Sequence, residues 1–204
     1  QHRNADVVAH IIKAAAERAA ACAERVRDTV YDAEGRRYPV VYRFVPAYPD
    51  GRTVATSHRA KDLEWADNYP REFQTRDLGG PEESVKIQNI ATHLDPLRLL
   101  GRNLDPTLGP PVTWQGPDGR LYVLGGNGRT LAFLRAPEEA YQRYLDVGRC
   151  LWADFPPQDA PKGARWLLVR VAWGIDQAKA ALRDLKAAGS DTATVTINTT
   201  ANEM

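Results

Sequence analysis

The pattern of apolar and polar residues in the segment Leu121–Arg135 predicts a strand, a tight turn and a helix. Its first residues, Leu121–Leu124, form an unbroken apolar and aromatic run that is typical of a buried strand. The turn Gly125–Gly128 follows, and from Arg129 onward the apolar residues recur at helical spacing. Upstream, Val112–Trp114 predicts a second short strand joined to the first by a tight turn. We therefore expect a hairpin that leads directly into a glycine turn and a helix.

The same reasoning predicts the other elements of the chain. β-Branched and aromatic runs predict strands at Val40–Val45, Trp166–Trp173 and Thr192–Ile197. Apolar residues spaced three and four apart, together with flanking prolines and glycines, predict helices over Glu82–Leu94, Glu138–Leu145 and Ile175–Ala188. One more helical turn is expected at Leu97–Leu100, and the polar segment Asn68–Asp77 is expected to be extended.

An amphipathic helix is predicted at the N-terminus, from about Ala5 to Asp28, with Asn4 as its cap. Its apolar stripe consists of Val7, Val8, Ile11, Ile12, Ala15, Ala19, Cys22, Ala23 and Val26. We interpret residues 1–35 as a helical extension and residues 36–204 as the main domain. Because an apolar stripe needs a surface to cover it, the helix packs either on the chain's own core or on another subunit of a homo-oligomer.

Composition and charge limit the classes of protein to which this chain can belong. The 204 residues are 43% hydrophobic and 26% charged, which is typical of a globular chain. A formal net charge of +1 gives no overall field that would attract DNA or a membrane, so any contact with nucleic acid must come from a local cluster of basic residues. The two cysteines, Cys22 and Cys150, form neither a disulfide framework nor a zinc-binding pattern.

The sequence also leads to a prediction of where in the cell the protein is located. We find no signal peptide and no apolar run long enough to cross a bilayer, so we predict a cytoplasmic protein without a membrane partner. Because the sequence begins at Gln1 rather than Met, we expect a fragment of a longer polypeptide whose other domains are potential partners.

The turn Gly125–Gly128 has the features of an anion site. Glycines let the backbone approach an oxyanion closely, and the free amides at the start of a helix point toward it. Arg129 is placed to add a bidentate bond to a phosphate. The motif alone is equally compatible with a simple turn between two core elements, because short glycine motifs have low specificity.

Further motifs occur along the chain in a fixed order. These are Ser57-His58, Tyr69-Pro70, Gln74-Thr75-Arg76-Asp77, Gly109-Pro110-Pro111-Val112, Asp118-Gly119 and Gly126-Asn127-Gly128-Arg129. In this order they resemble the ParB/sulfiredoxin superfamily, and most closely the ParB-like domains in polyvalent proteins of phages and mobile elements. The resemblance covers roughly Tyr42 to the C-terminus, and a loose match to a late motif lies at Ile197-Asn198 and Asn202-Glu203.

The resemblance implies a fold and a ligand. The fold would be of the α/β (α+β) class, a small mixed sheet with flanking helices, and a phage-encoded protein would act in the cytoplasm of its bacterial host. Members of the superfamily hold a nucleotide (CTP, ATP or ADP) with the glycine-arginine turn near its phosphates. The phosphate- or nucleotide-binding residues implied here are Ser57, Gln74, Arg76, Gly125, Gly126, Asn127, Gly128, Arg129 and Thr130. The catalytic residues implied are His58, Asp77 and Glu203, and Mg²⁺ is expected to be held by Asp77, with Glu203 as a second candidate carboxylate.

The chain departs from two branches of this superfamily. Sulfiredoxins need a cysteine in the glycine turn, where this chain has Asn127. ParB itself has a glutamate and two arginines in its turn and a DNA-binding helix-turn-helix domain afterwards, and this sequence shows neither.

Three functions remain open from the sequence. The first is a Mg²⁺-dependent enzyme that hydrolyses a nucleoside triphosphate or transfers its phosphoryl group, because that chemistry needs charge neutralisation and positioning more than a covalent nucleophile. The second is a nuclease in which His58 or Asp77 helps activate a metal-bound water. The third is a non-catalytic adaptor that binds DNA or protein. For Asp77 a purely local role, capping the backbone that follows it, is an equally good interpretation.

Overall fold

The computed structural model describes residues 22–31, 35, 37–74, 76–102 and 108–172. Within this part of the chain, a six-stranded mixed sheet is covered by four α-helices, which confirms the predicted α/β class. The strands are β1 (Arg27–Tyr31), β2 (Arg37–Ala47), β3 (Val54–Ala55), β4 (Val112–Gln115), β5 (Leu121–Gly125) and β6 (Arg165–Ala172). The α-helices are α1 (Pro81–Thr92), α2 (Leu97–Leu100), α3 (Asn127–Arg135) and α4 (Glu138–Leu151), and short 3₁₀ turns cover Ala23–Arg25 and Arg71–Phe73.

The strands lie in the order β1-β2-β6-β4-β5-β3. β1, β2 and β6 are antiparallel neighbours, and β4 and β5 form the predicted antiparallel hairpin. β4 runs parallel to β6 only at Val112 and Thr113, and β3 runs parallel to β5. Where β4 no longer covers the edge of β6, two tyrosines of α4 take its place. The hydroxyls of Tyr141 and Tyr144 accept hydrogen bonds from the backbone amides of Trp166 and Leu168, each at 2.9 Å.

Both faces of the sheet are packed. The larger apolar cluster joins the sheet to the helices and includes Leu131, Phe133, Tyr144 and Leu167. The smaller cluster contains an aromatic group of four side chains, whose members are Tyr69, Phe73, Trp114 and Tyr122. A sheet that is buried on both faces leaves ligand sites at the ends of its strands.

The predicted N-terminal helix is wrong in its last turns. Residues Ala23–Arg25 form a 3₁₀ turn and Arg27–Tyr31 form β1, which pairs with β2 in antiparallel register. Thr29, Val30 and Tyr31 are β-branched or aromatic residues, and the available edge of β2 decides their conformation. β1 precedes residue 36, so part of the sheet comes from the segment that we had assigned to the extension. The earlier turns of the predicted helix, up to residue 21, lie outside the described residues.

Several other boundaries differ from the sequence-based prediction. Pro46 lies inside β2, where its carbonyl accepts the hydroxyl of Thr53 and so faces away from β6; a proline is tolerated at such an edge. The 3₁₀ turn Arg71–Phe73 interrupts the segment Asn68–Asp77, which was expected to be extended. The helix predicted at Ile175–Ala188 and the strand at Thr192–Ile197 fall outside the described residues.

Candidate functional site

The carboxyl ends of β3 and β5 meet at one edge of the sheet, because these two strands are parallel neighbours. Ser57 and His58 follow β3, and Gly126 and Asn127 follow β5. In open α/β sheets this edge is where ligands usually bind. The fold therefore brings the Ser-His pair and the glycine turn, which are far apart in sequence, to the same place.

Gly126 makes the connection between β5 and α3 possible. Its φ of 97° and ψ of 26° are in the left-handed region that side chains disfavour. The carbonyl of Gly126 then accepts both the amide and the hydroxyl of Thr130, at 2.9 and 2.8 Å. Thr130 therefore fixes the first turn of α3, and Gly125 is buried as the last residue of β5.

Asn127 is the centre of a buried hydrogen-bond network. Its side chain, 3% exposed, accepts the amide of Ser57 at 2.9 Å. Its Nδ2 lies 3.2 Å from the carbonyl of Val123, from the hydroxyl of Tyr69 and from Oε1 of Gln74. Asn127 thus ties the start of α3 to the end of β3 and to the loop after Tyr69.

The network continues into the Gln74–Asp77 motif. Nε2 of Gln74 donates to the backbone carbonyl of Arg76 at 2.9 Å. The side chain of Gln74 is buried, whereas Arg76 and Asp77 are exposed. Ser57, Gln74 and Asn127 therefore hold the backbone in place, and Arg76 and Asp77 are the residues of this group that face solvent.

His58 is buried between a hydroxyl and a carboxylate. Its Nδ1 lies 2.9 Å from Oγ of Ser57, and its Nε2 lies 3.0 Å from Oδ1 of Asp77. The amide of Leu78 also donates to Nε2, at 3.1 Å, so the carboxylate and the amide compete for one nitrogen. Burial lowers the pKa of His58 and outweighs the opposing effect of Asp77. A neutral ring with 1% exposure orients Asp77 and offers little of its own surface to a ligand.

Asp77 combines the local role and the site role that the sequence left open. Its Oδ1 accepts the amide of Gly79 at 2.9 Å, which is the backbone-capping bond expected of a loop aspartate. This bond, followed by the one from His58, lowers the pKa of Asp77, so the carboxylate is ionised at neutral pH. Oδ2 has no partner among the described residues and remains available to a cation.

The described residues fit a Mg²⁺ ion whose other ligands are water and phosphate better than a metal ion that is enclosed by protein side chains. In the described ranges there is no group of three or more His, Cys, Asp or Glu side chains that could hold a metal ion. Mg²⁺ often needs only one or two carboxylates, with water and substrate phosphates as its other ligands. Asp77 can supply one such oxygen, and the second expected carboxylate, Glu203, lies outside the described residues.

Arg129 projects from a different face of α3 than Asn127. Two residues along a helix correspond to about 200° of rotation. The Arg129 guanidinium lies over Gly126, where Nη2 is 2.8 Å from the position that a Cβ would occupy. The structure therefore divides the predicted site: Ser57, His58, Gln74, Arg76 and Asp77 are connected through Asn127, and Arg129 faces the helices.

Arg129 borders a cavity of about 420 Å³ at the junction of α1, α2 and α3. The lining residues are Asn89, Ile90, His93, Leu94, Asp95, Arg98, Leu99 and Arg129. Nδ1 of His93 donates to the carbonyl of Asn89 at 3.2 Å, and Oδ1 of Asp95 accepts the amide of Leu97 at 3.1 Å. The side chain of Arg98 makes no hydrogen bond or ion pair within the described residues, so its guanidinium is available to a ligand.

His93 and Arg98 were missed by the sequence analysis. They were assigned only to the end of one helix and to the short turn after it. Their spacing could have been noticed as basic residues near helix ends, but their approach to Arg129 depends on how three helices pack.

A second, smaller cavity of about 170 Å³ lies beside β3, and its walls include Thr56, His58 and Tyr69. The charged groups at its rim are mostly paired, as in Arg59–Asp62 at 2.9 Å. Its polar walls are also engaged, since the hydroxyl of Thr56 donates to the carbonyl of His58 at 2.7 Å. This cavity offers less to an anionic ligand than the one at Arg129.

Comparison with protein-family models, with curated proteins and with solved structures gave no match. Among the described helices, none combines the length and the apolar character needed to span a lipid bilayer.

Proposed function

We propose that the chain binds the phosphate groups of a nucleotide in the cavity beside the start of α3 and hydrolyses or transfers a phosphoryl group with Mg²⁺. The observation that carries this proposal is that Arg129, at the glycine turn, shares one cavity with Arg98 and His93. Arginine forms bidentate, charge-assisted bonds with phosphate, and the first amides of a helix add further donors.

The lining of the cavity suits a ligand that has both an anionic and an apolar part. Two arginines and one aspartate, Asp95, give the lining a net positive charge. Ile90, Leu94 and Leu99 supply an apolar surface on which a planar base would pack. The volume of about 420 Å³ lies within the range of small-molecule sites.

The loop Gln74–Asp77 provides the chemical groups of the proposal. Through Gln74 and Asn127 it is tied to the start of α3, so a ligand that extends from the cavity across the glycine turn would meet Arg76 and Asp77. Asp77 would give one carboxylate oxygen to Mg²⁺, and His58 would hold that carboxylate in orientation. The metal would neutralise phosphate charge during the reaction. The order of motifs shared with ParB-like domains supports the same assignment.

One observation favours a different function, a non-catalytic adaptor that binds DNA or protein. Ser57, His58, Gln74 and Asn127 are all buried and bonded to one another, which is sufficient to explain them as parts of the fold. In that case the exposed Arg76 and Arg98 would contact a macromolecule without chemistry. A ParB-like nuclease would use the same phosphate grip on a DNA strand.

The test is calorimetric titration with CTP, ATP and ADP, with and without Mg²⁺, and with a short single-stranded oligonucleotide. We expect one nucleotide to bind, and Arg129→Ala and Arg98→Ala each to weaken it by about tenfold to a hundredfold, the typical effect of one charge-assisted phosphate contact. Arg129→Lys should restore only part of the affinity, because an ammonium group cannot replace the guanidinium fork.

The matched control is Arg43→Ala, which removes an exposed arginine of β2 that does not line the cavity. It should bind like the parent. If the oligonucleotide binds and is cleaved while the nucleotides do not bind, the nuclease replaces the proposal. If Arg129→Ala and Arg98→Ala bind every ligand as the parent does, the cavity is not the site and the adaptor becomes the better function.

A further inference from the structure

Arg170 is an arginine in the centre of the sheet with none of its surface exposed. It lies on β6, between β2 and β4, and the sequence analysis gave it no role. Arginine is rarely buried completely, because its charge must be matched by hydrogen bonds or by another charge. A residue of this kind therefore needs a structural or functional reason.

The guanidinium of Arg170 holds the loop that precedes β4. Nε donates to the carbonyl of Pro110 and Nη2 donates to the carbonyl of Leu108, both at 2.7 Å. The amide of Arg170 donates to the carbonyl of Pro111 at 2.9 Å. Gly109 has a φ of 80°, and this turn allows the carbonyls on either side of it to face one guanidinium.

The same loop supports the glycine turn. The Cα of Pro111 lies 3.4 Å from the position that a Cβ of Gly126 would occupy, and Nη2 of Arg129 lies 2.8 Å from the same position. Gly126 thus packs against both Pro111 and the Arg129 guanidinium. A shift of the loop would move Pro111 and change the space in which Gly126 and Arg129 lie.

We infer that Arg170 is a positioning residue for the phosphate site: by holding the loop 108–111 it sets the placement of Gly126 and, through it, of the Arg129 side chain. This inference rests on the proposed function for its effect on ligand binding. The structural part of the inference, that Arg170 sets the position of Gly126, depends only on these contacts.

The groups around Arg170 are suited to stabilise its buried positive charge. Tyr42 is its cross-strand partner on β2, and Tyr42 donates to Asp28 at 2.7 Å. Burial by itself raises the pKa of Asp28, but bonds from Arg102 and Tyr42, with the charge of Arg170, lower it overall. An ionised Asp28 therefore lies close enough to stabilise the buried guanidinium.

The test compares Arg170→Lys with Thr113→Val in the full chain. Lysine keeps the charge but cannot hold both carbonyls in a planar fork. Thr113→Val removes a buried bond of 3.0 Å from the Thr113 hydroxyl to the Arg170 carbonyl and leaves the guanidinium contacts in place, so it is a control for general loss of stability. The readouts are the melting temperature, the NMR signals of the Gly126 amide and the Arg129 Nε–H group, and the affinity for whichever of CTP, ATP and ADP binds the parent protein.

We expect both variants to lower the melting temperature, but only Arg170→Lys to shift the Gly126 and Arg129 signals and to weaken nucleotide binding by roughly tenfold. If Arg170→Lys leaves these signals where Thr113→Val leaves them, Arg170 only stabilises the fold and the inference is wrong. If Arg170→Lys does not fold, Pro110→Gly loosens the loop while Arg170 stays intact, and unchanged Gly126 and Arg129 signals in that variant would overturn the inference. If the parent binds no nucleotide, the proposed function fails, and the signal shifts still decide the role of Arg170.

Discussion

His58 shows how a residue that resembles a catalytic group can serve the fold. Its two ring nitrogens are 2.9 Å from Ser57 Oγ and 3.0 Å from Asp77 Oδ1, a Ser-His-Asp arrangement in space. A nucleophilic serine must reach its substrate, and Ser57 has no exposed surface. The arrangement therefore orients the exposed Asp77.

The burial of His58 predicts a dependence of stability on pH. In the unfolded chain its pKa is near the ordinary value of 6.5, and in the folded chain it is lower. Between these values the unfolded state binds more protons, so the free energy of unfolding decreases as pH falls below 6.5. The slope from this residue is at most roughly 1.4 kcal/mol per pH unit. Asp77 contributes in a separate, more acidic window, because its lowered pKa favours folding above its ordinary value of 3.8.

Urea unfolding of the parent and of His58→Gln, from about pH 5 to pH 7.5, measures this dependence. The variant should be less stable throughout but should lose less stability on acidification than the parent does. Equal slopes for the two proteins would show that His58 titrates normally in the folded state.

At the scale of elements, two of the three glycines in the glycine turn, Gly126 and Gly128, occupy backbone positions with different requirements. Gly126 has a left-handed backbone and packs against Pro111 and Arg129. Gly128 lies in the first turn of α3, and a Cβ there would meet no heavy atom within 4 Å. Of these two glycines, only Gly126 has a positive φ.

Alanine at these two positions should change stability in opposite directions. Gly126→Ala places a side chain in the left-handed region and should destabilise the fold by about 1–2 kcal/mol. Gly128→Ala removes backbone freedom from a helical position and should stabilise it by up to about 1 kcal/mol. Thermal or urea unfolding measures both; destabilisation of similar size in the two variants would mean that the turn is not built as described.

The elements that were predicted correctly are those in which local pattern and tertiary environment agree. The i, i+3, i+4, i+7 spacing from Ile87 to Leu94 gave α1, and the hairpin Val112–Leu124 gave β4 and β5. The segment after Cys22 was misassigned because its apolar residues fit a helical stripe, whereas pairing with β2 favours a strand. The cavity at Arg129 could not be predicted, since Arg98 and His93 reach it only when three helices pack together.

At the scale of the whole molecule, the charge distribution limits how the chain meets nucleic acid. The formal net charge is +1, and many exposed arginines are paired, as in Arg52–Asp50 at 2.6 Å and Arg120–Asp118 at 2.7 Å. Such pairs neutralise the local field that duplex DNA would recognise. Contact with DNA phosphates would therefore depend on a few groups such as Arg76 and Arg98.

We expect duplex DNA to bind weakly, because few phosphate contacts can form, and to be released as salt rises from roughly 50 to 200 mM, because those contacts are electrostatic and little else holds the complex. Fluorescence anisotropy with a labelled duplex at several salt concentrations tests this. Tight binding with almost no dependence on salt would indicate a base-specific or apolar contact surface that the charge distribution does not reveal.

The position of β6 determines the order in which the sheet can be assembled. β6 follows the other five described strands in the chain, yet it lies between β2 and β4. As the chain leaves the ribosome, β1 can pair with β2, and β3, β4 and β5 can pair with one another. Among the described strands, these two groups are joined only through β6.

Until Arg165–Ala172 has been synthesised, both groups expose an unpaired strand edge. Chaperones protect surfaces of this kind, and unprotected strand edges lead to aggregation. Ribosome-bound chains stalled before and after this strand should therefore differ sharply in chaperone binding.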